Sequence, residues 1–215
     1  MCGRFETKPS IQSLVEALKL ENAEFILNII EEKNKAVNIA PTDKIFSVTY
    51  TGDKYAVSLS NWGIKFKPDS PLIFNSRIET IKEKPFWLNL FDKNRALVPM
   101  SAFYEWKKEG SRKVPYRIFL PGEELFFVPS LYFKDKDGNI NTSLITTTPN
   151  DFIKTIHHRM PVILNIKEGL DYLTGSPQTN LAHCKPYAGE MGMELAVIGW
   201  INILRQFILQ SHILF

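Results

Sequence analysis

The chain has little cysteine: Cys2 and Cys184 are the only two in 215 residues. Two cannot build a disulfide framework, and their scarcity points to a reducing, cytoplasmic setting. A secretory leader is not expected either, because residues 1–10 lack an apolar core and carry Arg4, Glu6 and Lys8. Long hydrophobic runs are missing. The most apolar stretch, "INILRQFILQSHILF" at 201–215, is broken by Arg205 and His212 and falls short of the roughly 18 residues that a membrane span needs. A soluble protein with no membrane partner is expected. Metal-ligand types occur at Cys2, His157, His158, His183 and Cys184, but no pair has the spacing of a zinc motif, so no metal or other cofactor is expected. An excess of one charge is also absent. The net charge of +3 permits a polyanionic partner without requiring one. No linker, repeat or low-complexity tract divides the chain, so one domain spanning 1–215 is expected.

Apolar residues make up 44% of the sequence and aromatic residues 12%, ample for a core. "PSIQSLVEALKLENAEFILNIIEE" reads as a helix, with Ser10 as N-cap and Ile11, Leu14, Val15 and Leu18 on one face. Two strands, "IFSVTY" and "YAVSLS", follow, with Gly52 supplying the turn between them. "SRIETIKEKPFWLNLFDKN" predicts one or two short helices interrupted at Pro85. Five strands then follow: "RALVPM", "AFYEWKK", "VPYRIFL", "ELFFVPSLYF" and "INTSLITTT". The turn signals among them are Glu109-Gly110, Pro121-Gly122 and Asp137-Gly138. "TPNDFIKTI" reads as a short helix with Thr148 as N-cap and Pro149 at its first position. Short helical pieces come after residue 165, then a strand near "MELAVIGW" and the apolar tail. The pattern is that of an α+β domain, a curved antiparallel sheet or open barrel-like core flanked by helices.

Four places can carry chemistry, and each has a bland alternative. Cys2 is either an incidental terminal thiol or, with Met1 removed, a residue with amine and thiol on adjacent carbons. Asn75 and Arg77 in "NSR" are a turn residue and a surface charge, or binding groups. Glu105 interrupts the aromatic run Phe103, Tyr104 and Trp106. By strand alternation it lies on the solvent face or is a carboxylate in an apolar cleft, where burial raises its pKa into the range useful for proton transfer. His157 and His158 at a helix end are structural histidines or proton-transfer groups.

In order along the chain stand "MCGRF", "NIAPT", "WG" at 62–63, "NSRIET", "LVP", "FYEW", "PY" and "HHRMPVIL". This series resembles the SRAP family (SOS response-associated peptidase), whose members sense abasic sites in single-stranded DNA. The resemblance runs from residue 2 to about 165 and implies a β-rich α+β fold with a positively charged cleft. It implies Cys2 as the terminal nucleophile exposed by loss of Met1, Asn75 as the group holding the sugar, Glu105 as acid/base and His157 as the active-site histidine. Arg4 and Arg77 resemble phosphate-contacting arginines; Asn38, Pro41, Trp106 and Arg159 fall among the DNA-binding positions. Three departures stand out. Ser76 replaces alanine in the usual N-A-R motif. "WGIKFKPDSP" lacks the tryptophan expected after "WG". Residues 170–215 form a divergent C-terminal segment.

The residue types suit that chemistry. An α-amine, with a pKa of about 7.7–8.0, keeps far more nucleophilic fraction at neutral pH than a lysine at about 10.4. It attacks the open aldehyde of the abasic sugar, and the adjacent thiol closes a thiazolidine, diverting the Schiff base from strand cleavage. The resemblance therefore implies a DNA-repair protein of the cytoplasm, nucleoid-associated when bound. Its expected activity is crosslinking or lyase-type at abasic sites, with autoproteolytic removal of Met1. Two rivals remain open: an N-terminal-nucleophile cysteine peptidase or amidohydrolase, and a non-catalytic module for single-stranded DNA.

Overall fold

Apolar residues alternate along two hairpins and a meander, and these segments form the strands of the protein. The computed structural model describes residues 2–7, 38–51, 53–67 and 69–196. The expected helix beginning at Ser10, the Gly52 turn and the tail beyond residue 196 lie outside the described residues. In chain order the elements are β1 (Phe5–Glu6), β2 (Lys44–Thr51), β3 (Lys54–Trp62), β4 (Asn75–Arg77), α1 (Ile78–Glu83), α2 (Pro85–Lys93), β5 (Arg95–Met100) and β6 (Ala102–Glu109). They continue as β7 (Arg112–Phe119), β8 (Phe126–Lys134), β9 (Ile140–Thr147), α3 (Asp151–Lys154), β10 (Met160–Pro161), α4 (Ile166–Thr174), α5 (Pro177–His183) and β11 (Gly192–Leu195).

The expected α+β architecture with a curved sheet is what the chain adopts. Strands β2, β3, β9, β8 and β5 pair in a ring, because β9 bonds to β3 on one side and β8 on the other, and β5 joins β8 to β2. Most ladders are antiparallel, but β3 and β4 each pair with β9 in parallel. Parallel neighbours need a long crossover, and these are joined through the helices and strands between residues 78 and 139. A second sheet has the order β1-β6-β7-β11. The chain passes from one sheet to the other at Ser101, between β5 and β6.

Both faces of β5 and of most of β8 are buried, which explains their nearly continuous apolar sequences. On β5, Leu97 joins a cluster with Phe91, Leu131, Val162 and Tyr172, beneath the helices. Val98 and Met100 join a second cluster with Cys2, Phe5, Trp62, Phe103, Ile118 and Phe126, between the two sheets. Cys2 is thus part of a packed core.

Local signals act as expected at most turns. Gly110, Gly122 and Gly138 have φ of +61°, +78° and +84°, the left-handed region that glycine enters without a Cβ penalty. Pro85 begins α2, where its missing N–H costs nothing. One expectation is corrected. Helix α3 is capped by Asn150, whose side chain accepts from the Ile153 N–H at 2.9 Å, and not by Thr148. Asparagine is a strong N-cap, and here its oxygen reaches the otherwise free amide of the helix's third residue. Thr148 and Pro149 lie in the lead-in.

Candidate active site

The four residues expected to do chemistry come from distant parts of the chain. Cys2 precedes β1, Asn75 opens β4, Glu105 lies within β6, and His157 follows α3. Three packing features bring them together. The N-terminal strand is bound on both sides: the Tyr104 N–H donates to Arg4 O at 2.9 Å, and the Ile39 N–H donates to Phe5 O at 2.8 Å. Trp62 packs edge-on against Phe5 and Phe74, with centroids 4.9 and 5.9 Å away, and its indole N–H donates to Phe74 O at 2.9 Å. It therefore fixes the segment carrying Cys2 against the one carrying Asn75. The glycine of "WG" is needed because Gly63 has φ +127° and a Cβ there would meet Leu72 at 2.6 Å. Asn75 completes the join, its side-chain amide donating to the Cys2 carbonyl at 2.9 Å.

Cys2 is fully buried. Burial, with the Glu105 charge second, pushes its thiol well above the ordinary range. The thiol therefore keeps its proton at neutral pH. Glu105 is only 3% exposed, so of its two expected settings the buried one is found. Desolvation raises its pKa. His157 Nδ1 stands 3.9 Å from Glu105 Oε1. Burial, helped by nearby positive charge, pushes His157 down to about 4. His157 Nδ1 lies 3.1 Å from the Arg159 backbone nitrogen and 3.2 Å from the Arg159 carbonyl oxygen, so the Arg159 peptide groups hold the ring in place. This site pairs a carboxyl that holds its proton more tightly than usual with an imidazole that holds it less tightly.

The binding residues are placed unequally. Arg4 is half-buried and donates to the Asn38 side-chain oxygen at 3.2 Å. Asn38 has φ +72°, a conformation asparagine tolerates better than most residues. Pro41 is half-buried in the turn just beyond, and Arg77 is exposed at the end of β4. Arg159 has its guanidinium engaged: it grips Glu79 through two bonds of 3.0 and 2.9 Å and donates to Thr146 O at 2.9 Å. Ser76 is buried with its hydroxyl 2.7 Å from that of Ser143, so the extra oxygen relative to alanine has a partner.

A cleft of about 780 Å³ opens on Glu105 and His157 and is lined also by Trp106, Pro149, Ile156 and His158. The rings of His157 and His158 stack with centroids 4.3 Å apart. Three lysines on its rim escaped the sequence reading: Lys108 and Lys113 of the β6–β7 hairpin, and Lys154 of α3. The hairpin register, which sets Lys108 opposite Lys113, was legible from the Glu109-Gly110 turn and was the available signal. Among the described residues no group of three or more His, Cys, Asp or Glu side chains could hold a metal ion. No helix among them is long and apolar enough to cross a membrane.

Residues 1–198 match the family described as SOS response associated peptidase (SRAP). The chain is similar to the abasic site processing protein YoqW of Bacillus subtilis, 31% identical over 200 residues that span 87% of this chain and 88% of that one. It is 26% identical to the abasic site processing protein YedK of Escherichia coli over 179 residues, covering 80% and 79% of the two chains. Among solved structures, a protein of Bacteroides thetaiotaomicron superposes with a TM-score of 0.76 at 25% identity, covering 94% of each chain.

Proposed function

The chain belongs to the SRAP family, and from that premise we propose that it captures abasic sites in single-stranded DNA as a covalent adduct of Cys2. Its relatives are named for abasic-site processing, and a DNA-damage role directed at abasic sites follows for this chain. The finer reading rests on one observation. The Asn75 amide bonded to the Cys2 carbonyl supports it, because Cys2 is held where it feels the Glu105 charge, and Glu105 and His157 open on one cleft.

The chemistry follows from the protonation states. Removal of Met1 leaves Cys2 with a free amine. Because the thiol retains its proton, the amine attacks the sugar aldehyde first. The carbinolamine loses water to give an iminium, the thiol adds to the iminium carbon, and its proton departs as the thiazolidine ring closes. Overall, aldehyde and cysteine become the ring plus one water. Glu105 is the group that exchanges protons in these steps, since burial raises its pKa above that of an ordinary carboxylate. The neutral imidazole of His157 hydrogen-bonds a sugar oxygen. Asn75 supplies position. Its Oδ1 is buried without a hydrogen-bond partner among the described residues, and it accepts from a sugar hydroxyl. Arg4, Arg77 and the rim lysines hold flanking phosphates in a positively charged cleft, so binding weakens with salt and shows little base preference. Trp106, half-exposed in the cleft, stacks on a neighbouring base.

Intact mass spectrometry tests the proposal. The purified protein is mixed with a single strand carrying one abasic site, and separately with the corresponding duplex. The expected product has the mass of processed protein plus DNA minus one water, forms on the single strand, and is absent with Cys2→Ala. Failure of a processed protein to form it, with amide hydrolysis instead, would support the peptidase reading.

A further inference from the structure

The proposed nucleophile lies just before a strand with only two paired residues, β1, and short terminal segments fray unless tied down. Its backbone bonds, such as Ser101 N–H to Glu6 O and Tyr104 N–H to Arg4 O, both 2.9 Å, cannot set its register. A slipped strand would remake bonds of the same kind. Side chains decide register. Phe5 is fully buried in the apolar cluster that also holds Cys2. Glu6 is buried too, at 2% exposure, among polar groups. Its Oε1 accepts from Arg117 Nε at 3.0 Å and from Arg117 Nη2, and its Oε2 accepts from the Tyr104 hydroxyl at 2.7 Å. The Ser101 hydroxyl lies 3.5 Å from Oε1. A slip of one residue would drive the Glu6 carboxylate into the apolar cluster and set Phe5 against the Arg117 guanidinium. Arg117 Nη1 also donates to Glu194 Oε1 at 3.0 Å, so the same guanidinium ties β11 to the nucleophile strand.

We propose that Glu6, clasped by Arg117 and Tyr104, is a positioning residue that locks the register of the N-terminal strand and so holds Cys2 at the reacting aldehyde. A buried ion pair contributes little net stability compared with apolar packing, and fixing register is its best-attested use. The inference rests on the capture reading for its consequence, but the lock itself can be observed without DNA.

The test uses Glu6→Gln, Arg117→Lys and Tyr104→Phe in the full chain. Amide exchange is followed at Ser101 and Tyr104, which donate to β1 and its approach, and at Leu144, which donates to Phe74 O at 3.0 Å in β9. With Glu6→Gln, exchange at Ser101 and Tyr104 should quicken about tenfold with Leu144 unmoved. The capture rate at saturating DNA should fall about tenfold, while the half-saturating DNA concentration stays within about twofold. Arg117→Lys, which keeps the charge and loses the fork, should fall between Gln and wild type. If Glu6→Gln does not fold, Tyr104→Phe should give the same pattern with smaller amplitude. Unchanged exchange at Ser101 and Tyr104, or equal quickening at Leu144, would overturn the lock. A wild type that makes no adduct sinks the capture reading alone and leaves the exchange result to decide on Glu6.

Discussion

The side-chain amide of Asn75 donates to the backbone carbonyl of Cys2 across 2.9 Å, joining two segments separated by 73 positions in the chain. The bond points at the peptide group of Cys2, so its loss changes where Cys2 sits before it changes how well the protein holds together. Asn75→Ala should slow capture about tenfold or more through misplacement and cost about 1 kcal/mol of stability. Affinity for an intact single strand should stay within about twofold. Rate and affinity are read from a time course of the heat-stable adduct and from anisotropy with undamaged DNA. A variant that loses affinity for undamaged DNA together with rate would make Asn75 a general strand contact instead of one confined to Cys2 and the abasic sugar.

Glu105 is the second test. A carboxyl 3% exposed and raised by desolvation is suited to proton exchange, whereas glutamine keeps the shape and loses the acid. Glu105→Gln should reduce the capture rate about a hundredfold, within the range for positioned acid–base groups. Because the charge of Glu105 helps raise the Cys2 pKa, the variant should also let the thiol ionise at lower pH. Alkylation of Cys2 by iodoacetamide across pH checks this second effect. Wild-type capture by the glutamine variant would remove Glu105 from the mechanism.

His157 makes a prediction about stability and pH. Its folded pKa is about 4, against 6.5 for the free side chain. Between those values the unfolded chain binds a proton that the folded protein refuses. Stability is therefore present in full above about pH 6.5 and falls as the pH drops toward 4. His157→Gln should flatten that part of the pH profile. Melting temperatures of both proteins from pH 7 to pH 4 decide the point; parallel profiles would mean that His157 titrates normally.

What could be read in the sequence divides along physical lines. The strands from β5 to β9 and the glycines at their turns were legible, because alternation and positive φ are local properties. The parallel pairing of β3 and β4 with β9 was not, since nothing near Trp62 or Asn75 records which distant strand will lie alongside. The same limit applies in the site. The alternation of "FYEW" left Glu105 either in solvent or in a cleft, and its burial depends on the β1–β6–β7 sheet and the His157 loop closing around it. Thr148 looked like a cap because threonine before proline is a start signal. Asn150, two residues on, took the role because its side-chain oxygen was the one within reach. Glu6 carried no signal at all: a single acid in a polar N-terminus reads as surface until Arg117 and Tyr104 are seen across the sheet.

Arg95 offers a prediction about the scaffold. It opens β5, and its guanidinium is shared between two helix ends. Nη1 donates to Phe91 O at 2.8 Å and Asp92 O at 2.9 Å, at the end of α2. Nε donates to Tyr172 O at 2.9 Å, and Nη2 donates to Leu173 O at 3.3 Å and Gly175 O at 3.0 Å, at the end of α4. The last carbonyls of a helix lack partners within it and carry the negative end of its dipole. One planar cation with a fixed fork of donors answers both ends at once, which a lysine ammonium cannot do. Arg95→Ala should therefore cost about 3 kcal/mol, a fall of roughly 10 °C in melting temperature for a chain of this size. Arg95→Lys should recover less than half of it. Neither change touches the cleft, so capture measured well below the melting temperature should match wild type. Calorimetry alongside the adduct assay checks both statements. A lysine variant as stable as wild type would show that charge alone, without the fork, is what the two helix ends require.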